Sequence, residues 1–147
     1  MSTAGRVEYP MAGSRGRLLI VDDERAQREL ISSIMKSEGY DVLTARDGLD
    51  ALNRLVEPLP NVIISDLNMP RMSGFEFLAV VRQNFPHLSV IAMSGEFEGY
   101  ELPTGVLADA YLPKGRYTFD QLRTTIRKLA SAPPRRPRSV AVGIAPA

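Results

Sequence analysis

Apolar positions recur along this chain in two alternating patterns. Leu18–Val21, Val62–Ile64 and Leu88–Met93 are short runs rich in aliphatic and β-branched residues, each bounded by turn signals. Such runs are the form of strands buried on both faces. Between them, apolar residues return at spacings of three and four, the period of a helix with one face on a core. The pattern predicts strands over Arg17–Asp22, Asp41–Ala45, a run ending at Asp66, Leu88–Met93 and Asp109–Leu112. It predicts helices over Arg25–Glu38, Leu49–Val56, Gly74–Phe85 and Phe119–Leu129. The inward residues of the first helix are read as Ala26, Leu30, Ile31, Ile34 and Met35. Those of the second are Leu49, Leu52, Leu55 and Val56, those of the third Phe75, Leu78, Val81 and Phe85, and those of the last Phe119, Leu122, Ile126 and Leu129.

A further helix is due between the fourth and fifth strands, at 96–108. Gly99, Pro103 and Gly105 interrupt it. Proline inside a helix costs about 3 kcal/mol, so a short or irregular helix is expected there. Residues 1–16 hold four glycines or prolines at positions 5, 10, 13 and 16 with little periodicity, and read as a flexible arm. Residues 132–147 begin APPRRPR and read as an extended, disordered Pro/Arg tail. One domain over 17–131 is expected, and sixteen residues of tail are too few for an effector domain. Strand and helix alternating five times imply a parallel sheet with helices on both faces, an α/β fold.

Composition narrows the chemistry. The chain has 147 residues, 44% hydrophobic and 24% charged, which is ordinary globular composition. Cysteine is absent, which removes disulfides, thiol catalysis and thiolate metal sites. His87 is the single histidine, in a Pro-His-Leu turn, so a histidine cluster is excluded. No run approaches the length of a membrane span and the N-terminus lacks a signal-peptide core, so the expected location is cytoplasmic. The formal charge of +1 hides an asymmetry: residues 16–131 hold 13 Lys and Arg against 16 Asp and Glu, while the flanks carry five Arg and one Glu. Three arginines among prolines are a weak nucleic-acid signal without a recognition helix beside them.

The carboxyl ends of the strands carry the candidate chemistry. Asp22 and Asp23 end the first strand and Asp66 ends the third. In a doubly wound sheet of order 2-1-3-4-5 those two strands are neighbours at the switch point, where open α/β sheets hold their ligands. Three converging carboxylates repel one another and call for a cation. Oxygen donors without His or Cys favour a hard ion, Mg²⁺ or Mn²⁺. Ser94 after the fourth strand and Lys114 after the fifth reach the same edge. Acids, a metal, an ammonium and a hydroxyl suit binding and transfer of a phosphoryl group.

On these residues the sequence resembles the receiver domains of bacterial two-component response regulators. The matching features are Asp22-Asp23, the Asp66-Leu-Asn68-Met-Pro70 turn with Gly74 beyond it, Ser94, Tyr111 and Lys114, within Arg17–Ala130. The resemblance implies a flavodoxin-like doubly wound five-stranded parallel sheet. It implies that Asp66 accepts phosphate as an acyl phosphate from a histidine kinase or histidine phosphotransfer protein. Asp23, Asp66 and the backbone carbonyl of Asn68 would hold Mg²⁺, with Asp22 acting through water. Lys114 would pair with phosphoryl oxygens, Ser94 would move to the phosphate, and Tyr111 would follow it inward. Asn68 and Glu96 would tune loss of the phosphate. Output would pass through a downstream protein partner, making the chain a signalling switch rather than an enzyme.

Two departures stand out. Gly115 follows the lysine where the family usually has proline, and a trans bond or a glycine-reshaped loop is expected. The broken 96–108 segment falls on the usual output face. Each residue also has a plainer reading: an acid after a buried strand is often a helix N-cap, Ser94 a turn residue and Tyr111 a half-buried strand aromatic. Two alternatives follow. One is a receiver-like docking module that works without phosphate. The other is a Mg²⁺-dependent phosphohydrolase, for which Asn68 stands where a second aspartate is common and for whose substrate cap no room is expected.

Overall fold

The computed structural model describes residues 13–95 and 107–131. In chain order the elements are β1 (Arg17–Val21), α1 (Arg25–Ser37), β2 (Asp41–Ala45), α2 (Gly48–Arg54), β3 (Val62–Asp66), α3 (Gly74–Asn84), β4 (Ser89–Ser94), β5 (Ala110–Pro113) and α4 (Phe119–Ser131). The strands form one parallel sheet of order β2-β1-β3-β4-β5, as the alternation implied. The irregular helix expected at 96–108 lies outside the described residues, apart from Leu107 and Ala108.

The two faces of the sheet sort the strand residues by parity. Leu19, Val21, Ile63, Val90, Ala92 and Tyr111 face α2 and α3, where they meet Ala51, Leu55, Phe77, Leu78 and Val81. Leu18, Ile20, Val62, Ile64, Ile91, Met93 and Leu112 face α1 and α4, meeting Ile31, Met35, Leu122 and Ile126. Both faces of β1, β3 and β4 are covered, which is why these runs are apolar throughout rather than alternating. Burying a Leu or Ile side chain favours folding by about 1.5–3 kcal/mol, so the two layers hold the strand ends in place.

Several inward assignments shift. In α1, Leu30 is 46% exposed and Ala26 is also exposed, while Ser32 is buried; Ile31 and Met35, four apart, set the stripe. In α2, Ala51 is buried and Leu49 faces solvent; the helix stops at Arg54, short of the expected Val56, and beyond it Leu55 is buried and Val56 exposed. In α3, Phe77 is fully buried and Phe75 is exposed. Two residues turn a helix by roughly 200°, so one of the two phenylalanines must leave the core, and the one spaced four from Val81 stays. Phe119 is exposed at the first turn of α4, before the stripe of Leu122 and Ile126 begins. β1 also ends one residue early, at Val21, leaving Asp22 beyond the ladder.

Caps fix where the helices start. Ser73 and Glu76 form a reciprocal capping box at α3: each side chain accepts from the other residue's backbone N–H. Asp47 caps α2 by accepting from Asp50 N–H at 2.8 Å. At the far edge, Arg82 of α3 donates to the carbonyls of Leu88 and Leu107 and to Asp109, which also accepts from Val90 N–H at 2.8 Å. That network ties α3 to the entry of β4 and β5.

Candidate functional site

Sheet register assembles the site step by step. Val21 pairs with Ser65, so the next residues, Asp22 and Asp66, leave neighbouring strands together. Asp66 pairs with Met93, which places Ser94 one residue further on β4. Ser94 pairs with Pro113, and Lys114 follows. Four polar side chains thus converge on one edge of a sheet whose interior is apolar.

Lys114 is the hub. Its Nζ donates to Glu24 Oε1 at 2.8 Å and Asp66 Oδ2 at 3.0 Å, and lies 3.2 Å from Asp22 Oδ2. The carboxylates of Asp22 and Asp66 are almost wholly buried, and the lysine side chain is 13% exposed. Backbone amides organise the acids: Glu24 N–H donates to Asp22 Oδ1 at 2.8 Å, and Asn68 N–H to Asp66 Oδ1 at 3.1 Å. Arg28 Nη1 donates to the Asp22 carbonyl at 2.7 Å, anchoring the end of β1 to α1.

Electrostatics follow from burial. Desolvation pushes the carboxyls of Asp22 and Asp66 above their ordinary value of 3.8, and the amide and lysine donors only partly offset it. Burial pulls the Lys114 ammonium down, but hydrogen bonds to Glu24 and Asp66 and the charge of Asp22 outweigh this and raise it. Glu24, exposed to solvent, is lowered by its bond to Lys114.

Carboxylate oxygens of Asp22, Asp23 and Asp66 lie within 4.8 Å of one another. Asp22 Oδ2 is buried and has no hydrogen bond, despite its closeness to the ammonium. A buried oxygen without a hydrogen bond, beside two more carboxylates, is part of a donor set that fits a hard divalent cation, and Mg²⁺ suits an all-oxygen site that keeps several waters.

Gly74 shows how tightly the loop after β3 is folded. A Cβ there would stand 2.2 Å from the Asp66 carbonyl oxygen, so only glycine lets α3 start against the acid's backbone. Asn68 and Ser94 meet across the site, the Ser94 hydroxyl donating to Asn68 Oδ1 at 3.4 Å. Tyr111 is buried, its hydroxyl donating to the Ser94 carbonyl at 2.9 Å. Thus Tyr111 already lies inward in this structure, where the resemblance had it follow Ser94.

Among the described residues, every site residue singled out in the sequence except the exposed Asp23 is buried or half-buried at this edge. Glu96 lies outside the described residues. The bond between Lys114 and Gly115 is trans, and Gly115 takes a φ of 77°, in the left-handed region that favours glycine. Glu24, bonded to Lys114, is not among the residues that the sequence singled out. The available signal was three consecutive acids at one strand end with one lysine due opposite. No helix among the described residues is long and apolar enough to cross a membrane.

Comparison with known proteins agrees with this geometry. A family model described as the response regulator receiver domain matches residues 18–127. Protein PilG of Pseudomonas aeruginosa is 33% identical over 102 residues, which cover 67% of this chain and 76% of PilG. Response regulator MprA of Mycobacterium avium is 32% identical over 115 residues, 77% of this chain but 50% of MprA, so the chain spans half the length of that relative. Among solved structures, response regulator TrrA from Thermotoga maritima, in complex with Mg²⁺-BeF, superposes with a TM-score of 0.69 at 32% identity, covering 77% of this chain and 97% of TrrA. Chemotaxis protein CheY4 of Vibrio cholerae superposes at 0.68 with 31% identity, covering 77% and 97% respectively. With its site at the predicted sheet edge and the family matched over most of its length, the chain belongs to the response regulator receiver domains of two-component systems.

Proposed function

We propose that this domain is a phosphorylation-dependent signalling switch whose phosphoacceptor is Asp66. The observation that supports it best is the ammonium of Lys114 held 3.0 Å from Asp66 Oδ2 at the carboxyl edge of the sheet. A carboxylate oxygen of Asp66 attacks the phosphorus of a phosphohistidine on a kinase or phosphotransfer protein. The O–P bond forms as the P–N bond breaks, and the leaving electron pair returns to the imidazole. Asp22, Asp23, Asp66 and the Asn68 carbonyl would hold Mg²⁺, which when bound neutralises charge on the phosphoryl oxygens. Lys114 presents its ammonium to those oxygens. Ser94 gives up Asn68 and donates its hydroxyl to the phosphoryl group, which moves the end of β4 and, through its carbonyl, Tyr111. Water later cleaves the acyl phosphate, returning inorganic phosphate and free Asp66. The role is that of an acceptor and switch, read by a downstream protein partner, in the cytoplasm.

The test is incubation with acetyl phosphate and Mg²⁺, read by a phosphate-affinity gel. A retarded band that disappears with chelator and in Asp66→Asn supports the reading. A retarded band that survives in Asp66→Asn overturns it.

A further inference from the structure

Glu24 is the feature of the site with no role so far. It stands at the N-cap of α1 in extended conformation, yet its side chain makes no capping bond to the helix. An N-cap acid ordinarily accepts from the first-turn amides. Here the carboxylate turns away and takes the shortest of the contacts to Lys114, 2.8 Å. It is also the ammonium's exposed partner: the Glu24 side chain is 62% exposed, against 0% for Asp22 and 3% for Asp66. Glu24 therefore covers Lys114 on its solvent side, the side from which a phosphoryl donor must arrive, since both aspartates lie beneath.

We propose that Glu24 is an anionic placeholder for the phosphoryl group: it holds Lys114 in position while the site is empty and yields the ammonium when phosphoryl oxygens enter. The inference rests on the reading of Asp66 as phosphoacceptor. An ammonium has three protons, and three carboxylates surround this one. Asp22 and Asp66 cannot withdraw from it without leaving buried charge unpaired, which is costly. Glu24 can withdraw into water at small cost, because an exposed ion pair is weak. Its negative charge also meets any incoming anion first. Glu24 is thus a positioning residue, acting through Lys114, that favours donors able to displace it over small anions in solution.

Titration with beryllofluoride at saturating Mg²⁺ tests this, with Mg²⁺ affinity measured separately. Glu24→Gln is expected to bind beryllofluoride about threefold tighter than wild type, the scale of an exposed ion pair, with the gain shrinking at high salt. Its Mg²⁺ affinity should stay level or fall, because a nearby negative charge is gone. Opposite signs for anion and cation mark a charge effect, whereas loosened structure weakens both. Glu24→Asp, one methylene too short to reach Lys114 while keeping the charge, should fall between. Equal or weaker beryllofluoride binding by a folded Glu24→Gln, with wild type binding normally, overturns the placeholder alone. Absence of binding in both proteins at saturating Mg²⁺ overturns the phosphoacceptor reading and the placeholder with it.

Discussion

Tyr111 on β5 and Ser94 on β4 are joined by a 2.9 Å hydrogen bond from the phenol to the backbone carbonyl, with the ring buried in the layer under α2 and α3. The bond couples the last residue of a central strand to the aromatic of its neighbour, so a shift at Ser94 must be absorbed by Tyr111. Removing the hydroxyl in Tyr111→Phe leaves that carbonyl without this donor. A loss of about 0.5–1.5 kcal/mol is expected in urea unfolding. An unchanged midpoint would show that the bond carries no stability.

The buried acids give the fold a defined pH dependence without metal. Asp22 and Asp66 both titrate above 3.8 in the folded chain, chiefly through burial. A carboxyl raised on folding favours the native state below its unfolded value, and that contribution is lost as pH rises through the folded value. Above that window the buried charge is a liability. Asp22→Asn should therefore raise Tm at pH 7 in chelator, by about 2–5 °C, with the gain vanishing below pH 4. Thermal unfolding across pH measures it, and a lower Tm for the variant at pH 7 would contradict the burial argument.

Mg²⁺ should reverse that liability. An ion that binds only the folded state stabilises by mass action, about 2.7 kcal/mol at a hundredfold excess over Kd. Tm should climb with Mg²⁺ concentration and return on chelation. Asp23→Asn should blunt the rise while leaving the metal-free Tm little changed, since Asp23 is exposed. A Tm indifferent to Mg²⁺ in wild type would contradict the cation site.

Much of this was legible in the strands, and for a physical reason. A central parallel strand is buried on both faces, so it reads as a continuous apolar run, and the polar residue that ends it stands out: Asp22, Asp66 and Ser94 were visible in this way. The helix faces were less legible. Phe75 and Phe77 are equally apolar, and only the partner surface decides which is buried; Leu30 and Phe119 were misplaced for the same reason. Contacts made across sequence separation were invisible, as with Glu24 to Lys114 and Arg82 to Asp109.

Phe77 gives the sharpest check on that packing. Among the described residues it is the largest fully buried side chain. Phe77→Ala should cost about 3–5 kcal/mol, while Phe75→Ala should cost under about 1 kcal/mol. Chemical denaturation of the two variants side by side measures this, and equal losses would contradict the assigned faces.

Gly115 supplies a test at the departure from the family pattern. Its φ of 77° lies in the left-handed region. Proline fixes φ near −65°, so Gly115→Pro cannot keep this loop. The family's usual residue should destabilise this chain, and Gly115→Ala should cost about 1–2 kcal/mol. A Gly115→Pro variant as stable as wild type would contradict the described loop.

The most direct measurement is intact-mass analysis after incubation with a phosphorylated histidine phosphotransfer domain and Mg²⁺, followed by peptide mapping. The account predicts one phosphoryl group per chain, labile to hydroxylamine as an acyl phosphate is, mapped to Asp66 and absent in Asp66→Asn. A stable adduct on another residue, or one retained by Asp66→Asn, would contradict it.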